Sequence, residues 1–123
     1  MKYILARLES DASGKACDAD SDPATIEHIL PEDPGAGWES FPEQHWEAAV
    51  YRLGNLTLLE ASANRRVGNL DFATKRQAYE HSIYALTQQL AEHAADNWTL
   101  DRLEARQAMF AARAVHLWRA DYS

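Results

Sequence analysis

Cysteine is almost absent: Cys17 is the only one in 123 residues, which excludes an internal disulfide and any four-cysteine zinc site. A reducing compartment is the expectation that follows. Basic charge is scarce as well, with 12 lysines and arginines against 19 aspartates and glutamates and a net charge of −7. Nonspecific nucleic-acid affinity comes mostly from phosphate neutralisation by such side chains, so this balance argues against a simple charge-driven DNA binder. Long apolar runs are missing too. The patch Tyr3-Ile4-Leu5 is followed at once by Arg7 and Glu9, far short of a signal h-region or a membrane span. There is no internal repeat and no low-complexity tract. The expectation is a soluble, cytoplasmic protein with no membrane partner.

What is present is enough apolar material, 46% of residues, for one modest core in a chain of single-domain length. The charge is unevenly spread: residues 1–50 sum to −8, residues 51–80 to +2 and residues 81–123 to −1. The positive stretch holds Arg52, Arg65, Arg66, Lys75 and Arg76, which are expected to line a phosphate track while the acidic stretch faces elsewhere.

The pattern along the chain predicts an α+β fold that is mostly helical. Residues 1–9 place Ile4, Leu5 and Leu8 on one side of a helix, and Ser10 to Gly14 reads as a loop. A chain opening on such a half-helix is expected to be the C-terminal part of a larger protein, although Met1 is equally a natural start. After the acidic, irregular stretch 18–23, Thr25 to Leu30 is a short strand closed by Pro31. Pro42 to Leu53 carries Trp46, Ala49, Val50 and Leu53 at helical spacing. Gly54-Asn55 then turns into a second strand, Leu56 to Leu59, and Ser62 is the expected N-cap of a helix bearing Asn64 and Arg65. Phe72, Tyr79, Ile83, Leu86 and Leu90 trace one long helix. A break at Asp96-Asn97 precedes a final helix capped by Thr99, with Leu103, Phe110, Ala114 and Leu117 inward and Arg102, Arg106 and Arg113 on a solvated face. The reading is thus one domain over 1–123: a lead-in helix and acidic loop (1–24), a small core with a two-stranded antiparallel sheet and an inserted helix (25–70), and long C-terminal helices wrapping it as scaffold (71–123).

One spacing points to chemistry. Ile26-Glu27-His28-Ile29-Leu30-Pro31 is followed by Gly54-Asn55-Leu56-Thr57-Leu58-Leu59 and then by Asn64-Arg65-Arg66, with Asn64 nine residues after Asn55. This is the order and spacing of an HNH nuclease, in which such residues converge on one divalent metal. Cutting a DNA phosphodiester needs a base for water, a cation for the phosphate and stabilisation of the departing 3′ oxygen. In this reading His28 is the general base, since an imidazole of ordinary pKa keeps a neutral fraction near pH 7. Asn55 holds its ring, and Glu27 and Asn64 offer the oxygen ligands that suit Mg²⁺ or Mn²⁺. Adjacent strand residues point to opposite faces, so Glu27 and His28 share the metal region only if the strand twists or the metal lies at its edge. His45, His81, His93 and His116 fall on predicted helices as surface or partly buried residues, with His81 alone in reach of a supporting role.

Those segments, together with Asn69, Phe72, Lys75, Tyr79 and Ser82, resemble the HNH-type C-terminal nuclease domain of GmrSD-type modification-dependent restriction enzymes and related phage-defence effectors. The resemblance spans about Tyr3 to Trp118. The interval from Asn55 to Asn64 and the following Arg65 are also similar to the HNH nuclease of RNA-guided CRISPR effectors. The resemblance implies a ββα-metal core, Mg²⁺- or Mn²⁺-dependent cleavage or nicking of DNA in restriction or antiviral defence, and an N-terminal ParB-like nucleotide-hydrolysing domain or subunit as partner. It carries His28 over as base, Asn55 as its positioner and Asn64 as ligand, with Asn69 and Lys75 as support or phosphate contacts beside Arg65 and Arg66.

Two rival readings make distinct expectations. A catalytically inert HNH-like module docks DNA or protein without cutting and shows no metal-dependent stabilisation. A helical adaptor uses Trp38, Trp46, Trp98 and Trp118 as core and interface anchors and has no strand pair near His28.

Overall fold

The computed structural model describes residues 1–92 and 97–122. The chain is α+β and mostly helical, in the order α1 (Lys2–Ser13), β1 (Thr25–His28), α2 (Trp46–Ala49), β2 (Leu56–Leu59), α3 (Ala61–Val67), α4 (Phe72–Glu80), α5 (Ala85–Glu92) and α6 (Leu100–Tyr122). No helix among the described residues is long and apolar enough to cross a membrane.

The β-branched and apolar runs around Glu27 and Thr57 form the strand pair that the adaptor reading excludes. β1 and β2 are antiparallel, with Thr25 opposite Leu59, Ile26 opposite Leu58, Glu27 opposite Thr57 and His28 opposite Leu56. Side chains alternate across a pleat, so β2 feeds two cores. Leu59 joins Ile29, Leu30, Trp38, Phe41, Phe72, Tyr79, Trp98 and Leu103 in one. Leu56 and Leu58 join Leu5, Leu8, Tyr84, Leu86, Phe110 and Leu117 in the other. Full burial of each such side chain contributes roughly 1.5–3 kcal/mol, which is how two four-residue strands persist.

The N-terminal helix runs through the stretch read as loop, to Ser13, and stops at Gly14, whose φ of 72° ends it in the left-handed conformation. Glu9 is buried and accepts from the backbone N–H groups of Ala85 (2.8 Å) and Leu86 (3.0 Å). It thereby caps α5, favourably for the helix dipole. The single long helix expected over 72–90 is two helices. Ser82 accepts from the backbone of Tyr84 and donates to Glu60 at 2.6 Å, and the break leaves Ile83 74% exposed. The helix expected over 42–53 is reduced to a 3₁₀ turn, Glu43–His45, and the single turn of α2. Glu60, not Ser62, precedes α3, and it makes no side-chain cap.

α6 begins as read, with Thr99 accepting from the backbone N–H of Arg102. His93 and Asp96 lie outside the described residues. Of the three α6 arginines read as a solvated face, Arg113 is exposed and Arg102 half-buried, but Arg106 is buried and donates to the carbonyls of Gly54 (3.1 Å) and Leu56 (2.6 Å). Burial pushes its pKa down to about 9. α6 also packs hard against the 3₁₀ turn Leu53–Asn55. A Cβ at Gly54 would lie 2.5 Å from the Leu103 carbonyl oxygen, so only glycine fits there.

Candidate active site

A cleft of about 240 Å³ opens at the edge of β1, lined by Glu27, His28, Glu32, Asp33, Asn64 and Asn69 among others. Strand β1 supplies the first two, the loop after it Glu32 and Asp33, and helix α3 supplies Asn64. Three of the residues singled out by spacing, Glu27, His28 and Asn64, therefore meet at one place, and Asn69, carried over by the resemblance, joins them. Glu27 and His28 do point to opposite faces, and they border the same cleft because β1 is an edge strand.

His28 stands at the last position of β1, with its side chain 23% exposed. The Tyr51 ring lies edge-on to it at 5.5 Å. The Glu32 carboxylate faces Nδ1 at 3.9 Å and accepts a hydrogen bond from the Tyr51 hydroxyl. Burial lowers the His28 pKa and Lys75 adds to that, while Glu32 opposes it. The ring therefore favours its neutral, proton-accepting form. Glu32 and Tyr51 escaped the sequence reading. The signal for Glu32 was its place four residues after His28, across Pro31, where a turn brings the two together.

Asn55 does not hold the imidazole. It is fully buried. Its Oδ1 accepts from the Leu30 backbone N–H (2.8 Å) and the Trp98 indole (3.0 Å), and its Nδ2 donates to the carbonyls of Leu30 and Val50, both at 3.0 Å. Its backbone carbonyl also accepts from the Ile29 N–H. Every bonding position of the amide is used, and Asn55 fixes the chain immediately after His28 instead of its ring.

Glu27 is buried, and its carboxylate accepts from the Tyr79 hydroxyl (2.7 Å) and pairs with the Lys75 ammonium (3.2 Å). Lys75 also donates to the carbonyls of His28 (2.8 Å) and Ile29 (3.1 Å) and lies 5.7 Å from the centre of the Trp38 ring. Its three protons are all spoken for. Burial pushes Glu27 up and Lys75 down, with their mutual attraction opposing both shifts. Lys75 is thus a support behind the strand and not a phosphate contact, because an ammonium with no exposed surface and three acceptors has nothing left for a phosphate.

Asn64 is half-buried, and its Nδ2 donates to Thr25 Oγ1 (2.9 Å) and the Ile26 carbonyl (3.0 Å). The amide is pinned to β1 with its oxygen as the remaining polar atom. Asn69 Nδ2 donates to the Asp33 carbonyl and its own carbonyl accepts from the Trp38 indole, so it ties the loop after β1 to α3. Arg65 and Arg66 are exposed on α3. Arg52 and Arg76 approach the carboxylates of Glu104 and Glu80 at 3.7 and 3.9 Å. His45, His81 and His116 are exposed and do not line the cleft.

The donor chemistry fits a hard divalent ion that keeps most of its water. No group of three or more His, Cys, Asp or Glu among the described residues forms a ready metal cage. Magnesium needs none: it is usually held by one or two carboxylates and substrate phosphate, with waters filling the octahedron. A carboxylate from Glu27 and an amide oxygen from Asn64 match that requirement and do not match zinc or a calcium cage.

Comparison with curated proteins returned no match. The family described as GmrSD restriction endonucleases, C-terminal domain, has a model that matches residues 1–113, and with this fold and this cleft the chain belongs to that family.

Proposed function

We propose that this domain is the DNA-cutting effector of a restriction or phage-defence protein, hydrolysing phosphodiesters with His28 as general base. Membership of a restriction-endonuclease family supports a nuclease. The observation that carries the mechanism is the meeting of a neutral-favoured His28 with Glu27 and Asn64 in one solvent-open cleft. His28 takes a proton from water, the resulting hydroxide attacks phosphorus, and the bond to the 3′ oxygen breaks. Glu27 and Asn64 would hold a single Mg²⁺ or Mn²⁺, which supplies charge neutralisation for the phosphate and the departing oxygen. Asn55 and Lys75 keep the segment His28-Ile29-Leu30 in place from behind. Arg65 and Arg66, exposed on α3, take the DNA backbone, while Asn69 shapes the loop at the cleft's rim. Target choice and nucleotide use are assigned to an N-terminal ParB-like domain or subunit.

The alternative of an inert binding module draws on one observation: the Glu27 carboxylate is already paired with Lys75 and Tyr79. Cleavage of supercoiled plasmid with Mg²⁺ or Mn²⁺ separates the two. Nicking that is abolished by EDTA and falls at least ~100-fold in His28→Ala is the expected result. A folded chain that neither cuts nor gains melting temperature with Mn²⁺ is inert, and the proposal fails.

A further inference from the structure

Helices α5 and α6 enclose a second cleft, of about 280 Å³, that shares no lining residue with the one at His28. Its walls are mostly apolar, from Leu90, Trp98, Ala105 and Met109, and Gln89, Arg102 and Arg106 also line it. Among the described residues no carboxylate lines it, although the chain as a whole carries a net charge of −7.

Arg106 is the unusual member. Its Nη1 donates to two backbone carbonyls and its guanidinium stacks 4.3 Å from the centre of the Phe110 ring. Its Nη2 is buried and has no hydrogen-bond partner, the one such side-chain atom among the described residues. A buried cation faced only by dipoles and a ring is costly until an anion joins it, and a guanidinium takes a carboxylate through two parallel hydrogen bonds. Arg102 sits one helical turn earlier on α6, its guanidinium 5.2 Å from both the Phe72 and Trp98 rings, so the two charges are neighbours on one helix face.

We propose that this cleft binds a carboxylate carried on a small apolar body, the acid on Arg106 and Arg102 and the body against Leu90, Trp98, Ala105 and Met109. The volume is at the small end for ligand sites, which suits an arylalkanoate or the C-terminal residue of a polypeptide bearing an apolar side chain. The site stands independently of the nuclease reading. Occupancy is felt at the Leu53–Asn55 turn, because Arg106 holds Gly54 and Leu56, and Trp98 donates to Asn55.

The test is titration of the whole chain with phenylacetate, followed by heteronuclear NMR of the Trp98 indole and of the Gly54 and Leu56 amides. Saturable shifts in the millimolar range are expected, on the order of what a ten-atom ligand yields. Phenylacetamide, which lacks the charge, and inorganic phosphate, which lacks the apolar body, should each bind at least ~10-fold more weakly. Ala105→Phe, at an exposed helical position lining the cleft, places a ring in it while keeping both arginines in the chain and should abolish the shifts in a folded protein. Arg106→Met should do the same, and if it does not fold the Ala105→Phe result decides. N-acetylphenylalanine binding more tightly than phenylacetate supports a polypeptide terminus as the source, and the reverse order supports a free acid. Equal binding of acid and amide, phosphate binding as tightly as phenylacetate, or shifts that survive Ala105→Phe would each overturn the proposal.

Discussion

The two faces of β1 are built on different principles. Behind Glu27 the polar groups are buried and paired: its carboxylate lies 2.7 Å from the Tyr79 hydroxyl and 3.2 Å from the Lys75 ammonium, and two strand carbonyls complete the lysine. Around His28 the contacts are looser: a carboxylate 3.9 Å away and one ring edge, with part of the imidazole in solvent. A matched, buried network rigidifies, and a group with spare bonding capacity at a cleft is free to react. The first face is the anvil on which the second works, and the two asparagines repeat the contrast. Asn55 has no bond left to give, whereas Asn64 keeps its oxygen.

Removing Lys75 breaks the rigid face most severely. Lys75→Ala strands a buried carboxylate and two carbonyls, and urea denaturation should show a loss of about 3–5 kcal/mol. A loss under ~1 kcal/mol would mean that the pair contributes little and that Lys75 is free for another task. Asn55→Ala comes next. It unpairs the Leu30 N–H and the Trp98 indole, for about 2–4 kcal/mol by the same assay, and cleavage should fall with the folded fraction. His28→Ala, by contrast, should remove cutting while costing under ~1 kcal/mol of stability, since its side chain is partly exposed and accepts no buried partner.

The reactive face has its own pH signature. The folded pKa of His28 lies below its unfolded value of 6.5, so the native state binds fewer protons between those two values. Stability from this group therefore rises with pH across that interval, and protonation opposes folding below it. The cleavage rate should stay level as pH drops past 6.5 and decline only once the lowered pKa is reached. An NMR titration of the His28 ring with a midpoint above 6.5 would reverse the assignment. The smallest effect belongs to the surface: Arg65→Ala and Arg66→Ala should change stability by no more than ~0.5 kcal/mol, while each lowers the salt dependence of DNA binding by about one phosphate.

Much of this was legible in the residues. The strand pair showed because apolar and β-branched residues cluster around Glu27 and Thr57, and the split of Glu27 from His28 follows from the pleat alone. Gly54-Asn55 and Asn64 were found by spacing. What escaped depends on partners distant in sequence. The Phe72 to Leu90 stripe fits one helix, and its break rests on Glu60 holding Ser82 and on Glu9 capping α5 from 76 residues away. A lysine reads as surface until the carboxylate that buries it is known, and Lys75 lies 48 positions after Glu27. Arg106 looked solvated beside Arg102 and Arg113, yet the carbonyls it serves are 50 and 52 residues earlier.

The grip of α6 on the Leu53–Asn55 turn has a temporal consequence. Trp98, Arg106 and Gln107 bond to Asn55, Gly54 and Leu56 across 43 to 53 positions of chain, so the segment behind His28 is not locked until those residues have been made. Domains on the ribosome fold only as their parts emerge, at roughly 5–20 residues per second. For several seconds after His28 appears, the growing polypeptide carries the proposed general base without the clamp that aligns its segment. The helix that holds the segment after His28 in place is synthesised after that segment, so the proposed site is complete only once α6 has been made.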